Sequence, residues 1–153
     1  MKTFEGNYIS TGKRFAIVLS KFNETIGNNL LNGSLDCLKR HNVSEDSIDV
    51  YKVPGAFEIP VVADRVASLK KYSAIICLGA VIRGATPHFE YISSSVSSGI
   101  TQMALKHSIP IIFGVLTTDT IEQAFERSGI KSGNKGWEAA LTALEMADLI
   151  KQI

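Results

Sequence analysis

The apolar positions fall into two alternating patterns. Four short segments read as strands: Arg14 to Ser20 (RFAIVLS), Ile48 to Val53, Ala74 to Ile82 (AIICLGAVI) and Ile109 to Leu116 (IPIIFGVL). The third is the clearest, an unbroken apolar run rich in Ile and Val and bounded by polar residues. That pattern predicts a strand buried on both faces. The segments between them carry helical spacing. Ile26, Leu30, Leu31, Leu35 and Leu38 predict a helix from about Thr25 to Arg40, closed by His41-Asn42. Ala56-Phe57-Glu58 lead into a helix reaching about Leu69, with Pro60 tolerable only in its first turn. Tyr91, Ile92, Val96, Ile100 and Met103 keep a helical period from Pro87 to about His107, through a serine run at Ser93, Ser94, Ser95, Ser97 and Ser98. Those small residues predict a face for close packing, a candidate assembly surface.

Thr120-Ile121-Glu122-Gln123 is a capping box that opens a short helix ending at Ser128-Gly129. A Gly-containing turn, KSGNKG, precedes a last helix from about Lys135 to Lys151. Its expected buried stripe is Trp137, Ala140, Leu141, Leu144, Ala147 and Ile150. Residues Met1 to Gly12 hold one apolar cluster, Tyr8-Ile9, and read as an extended arm with at most a short strand. The order β-α-β-α-β-α-β-α-α predicts an α/β fold, a parallel sheet with helices on both faces. No repeat or linker divides the chain, so residues 1–153 are expected to form one domain, with 1–12 as its N-terminal arm.

Composition changes this picture little. A length of 153 residues suits one domain with a real core. A net charge of +1 argues against a strongly basic nucleic-acid surface. The N-terminus lacks a signal-peptide core and no apolar run approaches the ~20 residues of a membrane span, so a cytoplasmic location without membrane contact is expected. Cys37 and Cys77 fall in a predicted helix and a predicted buried strand and read as reduced, buried thiols. His41, His88 and His107 show no metal-ligand spacing with them, so no metal is expected.

The chemistry concentrates in Ser73 to Glu90, SAIICLGAVIRGATPHFE. After the strand the chain breaks at Arg83-Gly84-Ala85. Thr86 is a good N-cap, and Pro87 suits the first helical position because its missing N–H costs nothing there. A strand, a Gly turn and a helix N-terminus aim free N–H groups and the positive helix end at one spot, which suits phosphate. His88 lies beside that spot, and a histidine titrates near neutrality. In open parallel sheets ligands bind beyond the carboxyl ends of the strands. The residues there are Phe22 and Asn23, then Gly55 to Glu58, then Val81 to His88, then Thr117 and Thr118. Singly, each has an ordinary structural reading: Phe22 and Phe57 as packing residues, Glu58 as a dipole partner, His88, Arg127 and Lys135 as solvated surface groups. Together they offer two aromatic faces, a carboxylate, an amide, an anion cradle and a histidine. An aromatic or heterocyclic substrate with hydroxyls, and a separate phosphate, would use all of them.

These residues also resemble a known family. Phe22-Asn23, VPGAFEIP (Val53 to Pro60), GAVIRGATPHFEY (Gly79 to Tyr91), FGVLTT (Phe113 to Thr118), Glu122-Gln123-Ala124, Arg127 and Gly133 to Gly136 resemble 6,7-dimethyl-8-ribityllumazine synthase, the riboflavin synthase beta chain. The resemblance covers nearly the whole chain without gaps. Pro87 departs from the small or polar residue more often expected there, without chemical consequence. The implied fold is a flavodoxin-like three-layer α/β/α sandwich around a central four-stranded parallel sheet. The implied reaction condenses 5-amino-6-(D-ribitylamino)uracil with 3,4-dihydroxy-2-butanone 4-phosphate, releasing phosphate and water, with no metal or organic cofactor. By the resemblance, Phe22 stacks on the pyrimidine, Asn23 and the backbone at Val81 and Ile82 hold its polar edge, and Lys135 reaches the ring. Ala56, Phe57 and Glu58 hold the ribityl chain. Gly84, Ala85, Thr86 and Arg127 hold the phosphate, and His88 shuttles protons. Phe113 is expected to arrive from a neighbouring subunit, while the subunit supplying Arg127 and Lys135 stays open. The resemblance further implies a homo-oligomer, a pentamer or a sixty-subunit icosahedral shell, with riboflavin synthase as a potential partner. The arm at Tyr8-Ile9 would add a strand to a neighbour's sheet, and the compact SGNKG turn is compatible with the shell.

Other readings compete. An archaeal-type riboflavin synthase is disfavoured by the match through VPGAFEIP and RGATPH. A non-catalytic flavin or phosphate carrier would need the aromatic pocket but not His88. A purely structural shell protein leaves the strand-end residues unexplained.

Overall fold

Side chains one apart on a strand face opposite sides of a sheet, and the first strand fills both sides with core. In the computed structural model, which describes residues 1–129 and 133–153, strand β1 (Phe15–Ser20) is buried throughout. Phe15, Ile17 and Leu19 enter one core, and Ala16 and Val18 enter the other. Strands β2 (Ile48–Val53), β3 (Ala74–Ile82) and β4 (Ile111–Thr118) run parallel to it in the order β2-β1-β3-β4. Helices α1 (Glu24–Arg40), α4 (Ile121–Arg127) and α5 (Lys135–Gln152) pack through Leu30, Ala124, Ala140 and Leu144 on the first face. Helices α2 (Ile59–Ser68) and α3 (His88–His107) pack through Ile59, Val66, Val96 and Ile100 on the second. The result is a flavodoxin-like three-layer α/β/α sandwich.

The strand order carries a functional consequence. From β1 the chain steps outward to β2 and then returns past β1 to β3. The crevice at that reversal, beyond the carboxyl ends of β1 and β3, is where such sheets bind ligands.

Local details depart from the sequence pattern at three places. α3 begins at His88 with Pro87 as its N-cap and no side-chain capping bond. The helix thus starts one residue later than the Thr86-Pro87 pair suggests, because Pro87 keeps a φ of −69° but turns its ψ to 6°. β4 begins at Ile111 rather than Ile109 and continues to Thr118, because its pairing with β3 extends to Ile82. Ile150 is 45% exposed, beyond the edge of the α5 stripe that Ala140, Leu144 and Ala147 do bury. Residues 1–10 form an arm without a strand of its own, within the expected range. The arm docks on α5: the Asn7 N–H donates to Asp148 Oδ2 at 2.9 Å, Lys13 Nζ to Asp148 Oδ1 at 3.1 Å, and Gln152 Nε2 to the Glu5 carbonyl at 2.8 Å. Of the KSGNKG turn, Lys131 and Ser132 lie outside the described residues. Its end is a strong cap: Asn134 Oδ1 accepts from the Gly136 and Trp137 N–H groups, and Asn134 Nδ2 donates to the Asn29 and Ser128 carbonyls.

Candidate active site

At the reversal crevice lies a cavity of about 500 Å³. Three segments build it. Phe22 and Asn23 come from the end of β1, Gly55 to Glu58 from the turn after β2, and Ala80 to Ile82 from β3. Gly84, Thr86 and the first turn of α3, with His88, Phe89 and Ile92, close the remaining wall. Residues 88, 89 and 92 share one helix face, which is why this spacing reaches a single cavity.

The two aromatic rings are not packing residues. Phe22 is 71% exposed and Phe57 is 57% exposed, and both line the cavity. Large exposed rings facing a cavity provide stacking surface for a flat ligand. Asn23 takes a left-handed conformation, φ 60° and ψ 56°, which Asn tolerates better than most residues. Its amide is diverted from capping α1 and donates across the sheet to the Ala80 carbonyl at 3.2 Å. Among the described residues the Asn23 amide oxygen has no hydrogen-bond partner, so an acceptor remains at the pocket. Glu58 Oε2 accepts from the Gly55 N–H at 3.0 Å, which fixes the short 3-10 turn Ala56–Glu58 and orients the carboxylate.

The turn after β3 is open. Gly84, Ala85, Thr86, Pro87 and His88 are all exposed. Gly84 has no left-handed φ, and a Cβ built on it would meet nothing within 4 Å. The fold itself therefore does not require glycine there, whereas close approach of a ligand to the backbone would. Gly84 and Thr86 line the cavity; Ala85 sits between them without lining it. Beneath the turn, Arg83 Nε donates to Asp119 Oδ1 at 2.8 Å and Arg83 NH1 pairs with Glu90. Hydrogen bonds from this guanidinium hold the Glu90 carboxyl below its ordinary range, and Asp119 first, then Glu90, push the guanidinium up.

Phe113, expected from a neighbouring subunit, and Arg127 and Lys135, whose subunit was left open, do not line the cavity of their own chain. Phe113 is 41% exposed and lines a different surface with Glu90, Ser93, Ser94, Ser97 and Thr117. That is another side of α3 from the one that bears His88, Phe89 and Ile92. Arg127 ends α4, donating to the Gln123 carbonyl at 3.2 Å, and Lys135 opens α5, paired with Glu138 at 2.7 Å. Neither lines the cavity. Conversely, Phe89, Ile92 and Ala80 line it without having been singled out. The helical offset from His88 was the available signal for Phe89 and Ile92.

A second groove, of about 1010 Å³, continues from Phe57 and Glu58 along α2 and α3 past Val61, Tyr91, Ser95 and Gly99. Among the described residues no group of His, Cys, Asp or Glu is placed to hold a metal, and no helix is long and apolar enough to cross a membrane.

The family model described as 6,7-dimethyl-8-ribityllumazine synthase matches residues 12–151. A 6,7-dimethyl-8-ribityllumazine synthase from Clostridium kluyveri is 57% identical over 153 residues, covering 100% of this chain and 99% of its own length.

Proposed function

The chain belongs to the 6,7-dimethyl-8-ribityllumazine synthase family, and we infer from that membership that it condenses 5-amino-6-(D-ribitylamino)uracil with 3,4-dihydroxy-2-butanone 4-phosphate. The products are 6,7-dimethyl-8-ribityllumazine, phosphate and water, and the step belongs to riboflavin biosynthesis. The observation that carries the reading is the pair of exposed rings, Phe22 and Phe57, facing the same cavity as His88 and the open turn at Gly84.

The roles follow the chemistry of each group. Phe22 stacks on the pyrimidine, with Asn23 and the backbone at Val81 and Ile82 against its polar edge. Ala56, Phe57 and Glu58 receive the ribityl chain, Glu58 accepting from its hydroxyls. Gly84, Ala85 and Thr86 offer N–H groups at a helix N-terminus to the phosphate. A ring amine attacks the ketone and forms an imine, the ketone oxygen leaving as a first water. Loss of a proton from carbon then lets phosphate leave, and the ring closes with loss of water. His88 takes and returns protons through these steps. Holding two reactants together supplies much of the remaining rate.

The cavity of one chain lacks the Phe113 ring and has no Arg or Lys side chain among its lining residues. We assign Phe113, Arg127 and Lys135 to a neighbouring copy, within a pentamer or a shell built from pentamers. The apolar groove along α2 and α3, with its exposed serines, supports a copy packing there. Residues 1–12 act as the arm of a single domain, the protein works in the cytoplasm, and riboflavin synthase is the partner that would consume its product. The decisive test mixes purified protein with the two substrates and follows lumazine absorbance and fluorescence. Product formation well above the uncatalysed rate is expected. No acceleration by folded, oligomeric protein would overturn the reading in favour of a carrier.

A further inference from the structure

The turn proposed to grip phosphate has little holding it from within. Gly84 to His88 are exposed, Gly84 has open space where a side chain would be, and Thr86 makes no capping bond. An anion site made of backbone N–H groups works only if those groups are held in place before the anion arrives. Something outside the turn must therefore restrain it.

Arg83 is placed to do so. Its N–H donates to the Thr118 carbonyl at 2.8 Å, carrying the β3–β4 ladder one residue past Ile82. Its side chain then reaches both ways. Nε donates to Asp119 just beyond β4, and NH1 pairs with Glu90 in the first turn of α3. Its guanidinium carbon lies 4.3 Å from the centre of the Phe89 ring, itself part of the cavity wall. Two carboxylates share this one cation, so its charge is already matched within the chain. The far end of the clamp is braced as well: the Asp119 N–H donates to Gln123 Oε1 at 2.9 Å, and the Gln123 carbonyl accepts from Arg127.

We propose that Arg83 is a positioning residue for phosphate, tying the first turn of α3 to the end of β4 so that the 84–86 turn and His88 are fixed between them. This rests on the reading that the turn receives the substrate phosphate. Exposed ion pairs add little to global stability, so the effect is local. Lysine keeps the charge but cannot make two directed bonds while stacking on a ring. Arg83→Lys therefore behaves like Arg83→Ala.

The test titrates inorganic phosphate and the ribitylaminouracil separately into the assembled protein and its variants by calorimetry. Both Arg83 variants are expected to lose about tenfold in phosphate affinity and to raise KM for the butanone phosphate similarly, less than the ~100-fold that a 1 Å misplacement can cost in rate. Affinity for the ribitylaminouracil should stay unchanged. Unchanged phosphate affinity in both variants overturns the proposal, and so does an equal loss for both ligands, which marks general loosening. Should neither Arg83 variant fold, the double variant Glu90→Gln and Asp119→Asn carries the same test from the carboxylate side. Lumazine formation by the unmodified protein is measured alongside. If it binds phosphate but forms no lumazine, the reaction is wrong and the phosphate titrations still decide the clamp. If it binds no phosphate, the clamp is overturned.

Discussion

Under the roles proposed above, His88 would have little to do once the scaffold has brought the reactants together. General acid–base catalysis contributes about 10²–10⁴-fold, and juxtaposition contributes independently of it. His88→Ala should lower kcat by about a hundredfold, at the low end of that range, and still form product above the uncatalysed rate. Steady-state kinetics on assembled protein checks this, and a complete loss of turnover with both substrates bound would put proton transfer ahead of juxtaposition. Phe22→Ala should act on binding instead. A base stacked on an aromatic ring is worth about 1–3 kcal/mol, so KM for the ribitylaminouracil should rise about tenfold while kcat changes little. An unaltered KM would remove Phe22 from the pyrimidine site.

At the scale of elements, the close approach of α5 to α1 is set by one position. A Cβ on Gly136 would collide with the Leu30 carbonyl oxygen, so α5 would have to move away from α1. Gly136→Ala should destabilise by about 1–3 kcal/mol, read from the midpoint of denaturant unfolding. The arm makes a pH-dependent contact with the same helix. The Asn7 N–H first, then Lys13, hold the Asp148 carboxyl below its ordinary value of 3.8. A carboxyl depressed on docking stabilises the docked arm above 3.8 and loses that contribution as pH falls through its lower, folded value. Hydrogen exchange at the Asn7 amide should therefore lose protection in acid, and Asp148→Asn should cost protection at neutral pH. Protection that is independent of both would show that the arm is held elsewhere.

The strands and long helices were legible because their periodicities are local. Ile26, Leu30 and Leu38 repeat on one face whatever surrounds them, and the Thr120–Gln123 capping box needs only four neighbouring residues. The cavity was legible because the chain order places Phe22, Phe57 and His88 at the same strand ends. What could not be read depends on contacts distant in sequence. The Asp148 contact spans 141 residues to Asn7 and 135 to Lys13. The side of α3 on which Phe113 falls depends on how α3 lies over β4. The Arg83 clamp joins residues after two different strands, and no motif spacing announces it.

At the scale of the whole molecule, a cavity that lacks Phe113, Arg127 and Lys135 predicts that sites are shared between copies. Subunits carrying His88→Ala and subunits carrying Arg127→Ala, co-assembled in equal amounts, would leave about a quarter of shared sites intact in a ring of head-to-tail contacts. Activity should exceed that of either variant alone. If mixing restores nothing, each chain completes its own site.

Both cysteines lie wholly inside the fold, Cys77 in the central strand β3 and Cys37 in α1. Burial pushes the Cys77 thiol up to about 12, and burial first, then the nearby Asp36, push Cys37 up to about 11. Neither offers reagents an accessible thiolate while the protein is folded. Alkylation of the native chain thus becomes a clock for opening events. A single rate shared by both cysteines would mean that the molecule opens as one unit. A faster rate at Cys37 would mean that α1 lifts from the sheet before β3 is exposed.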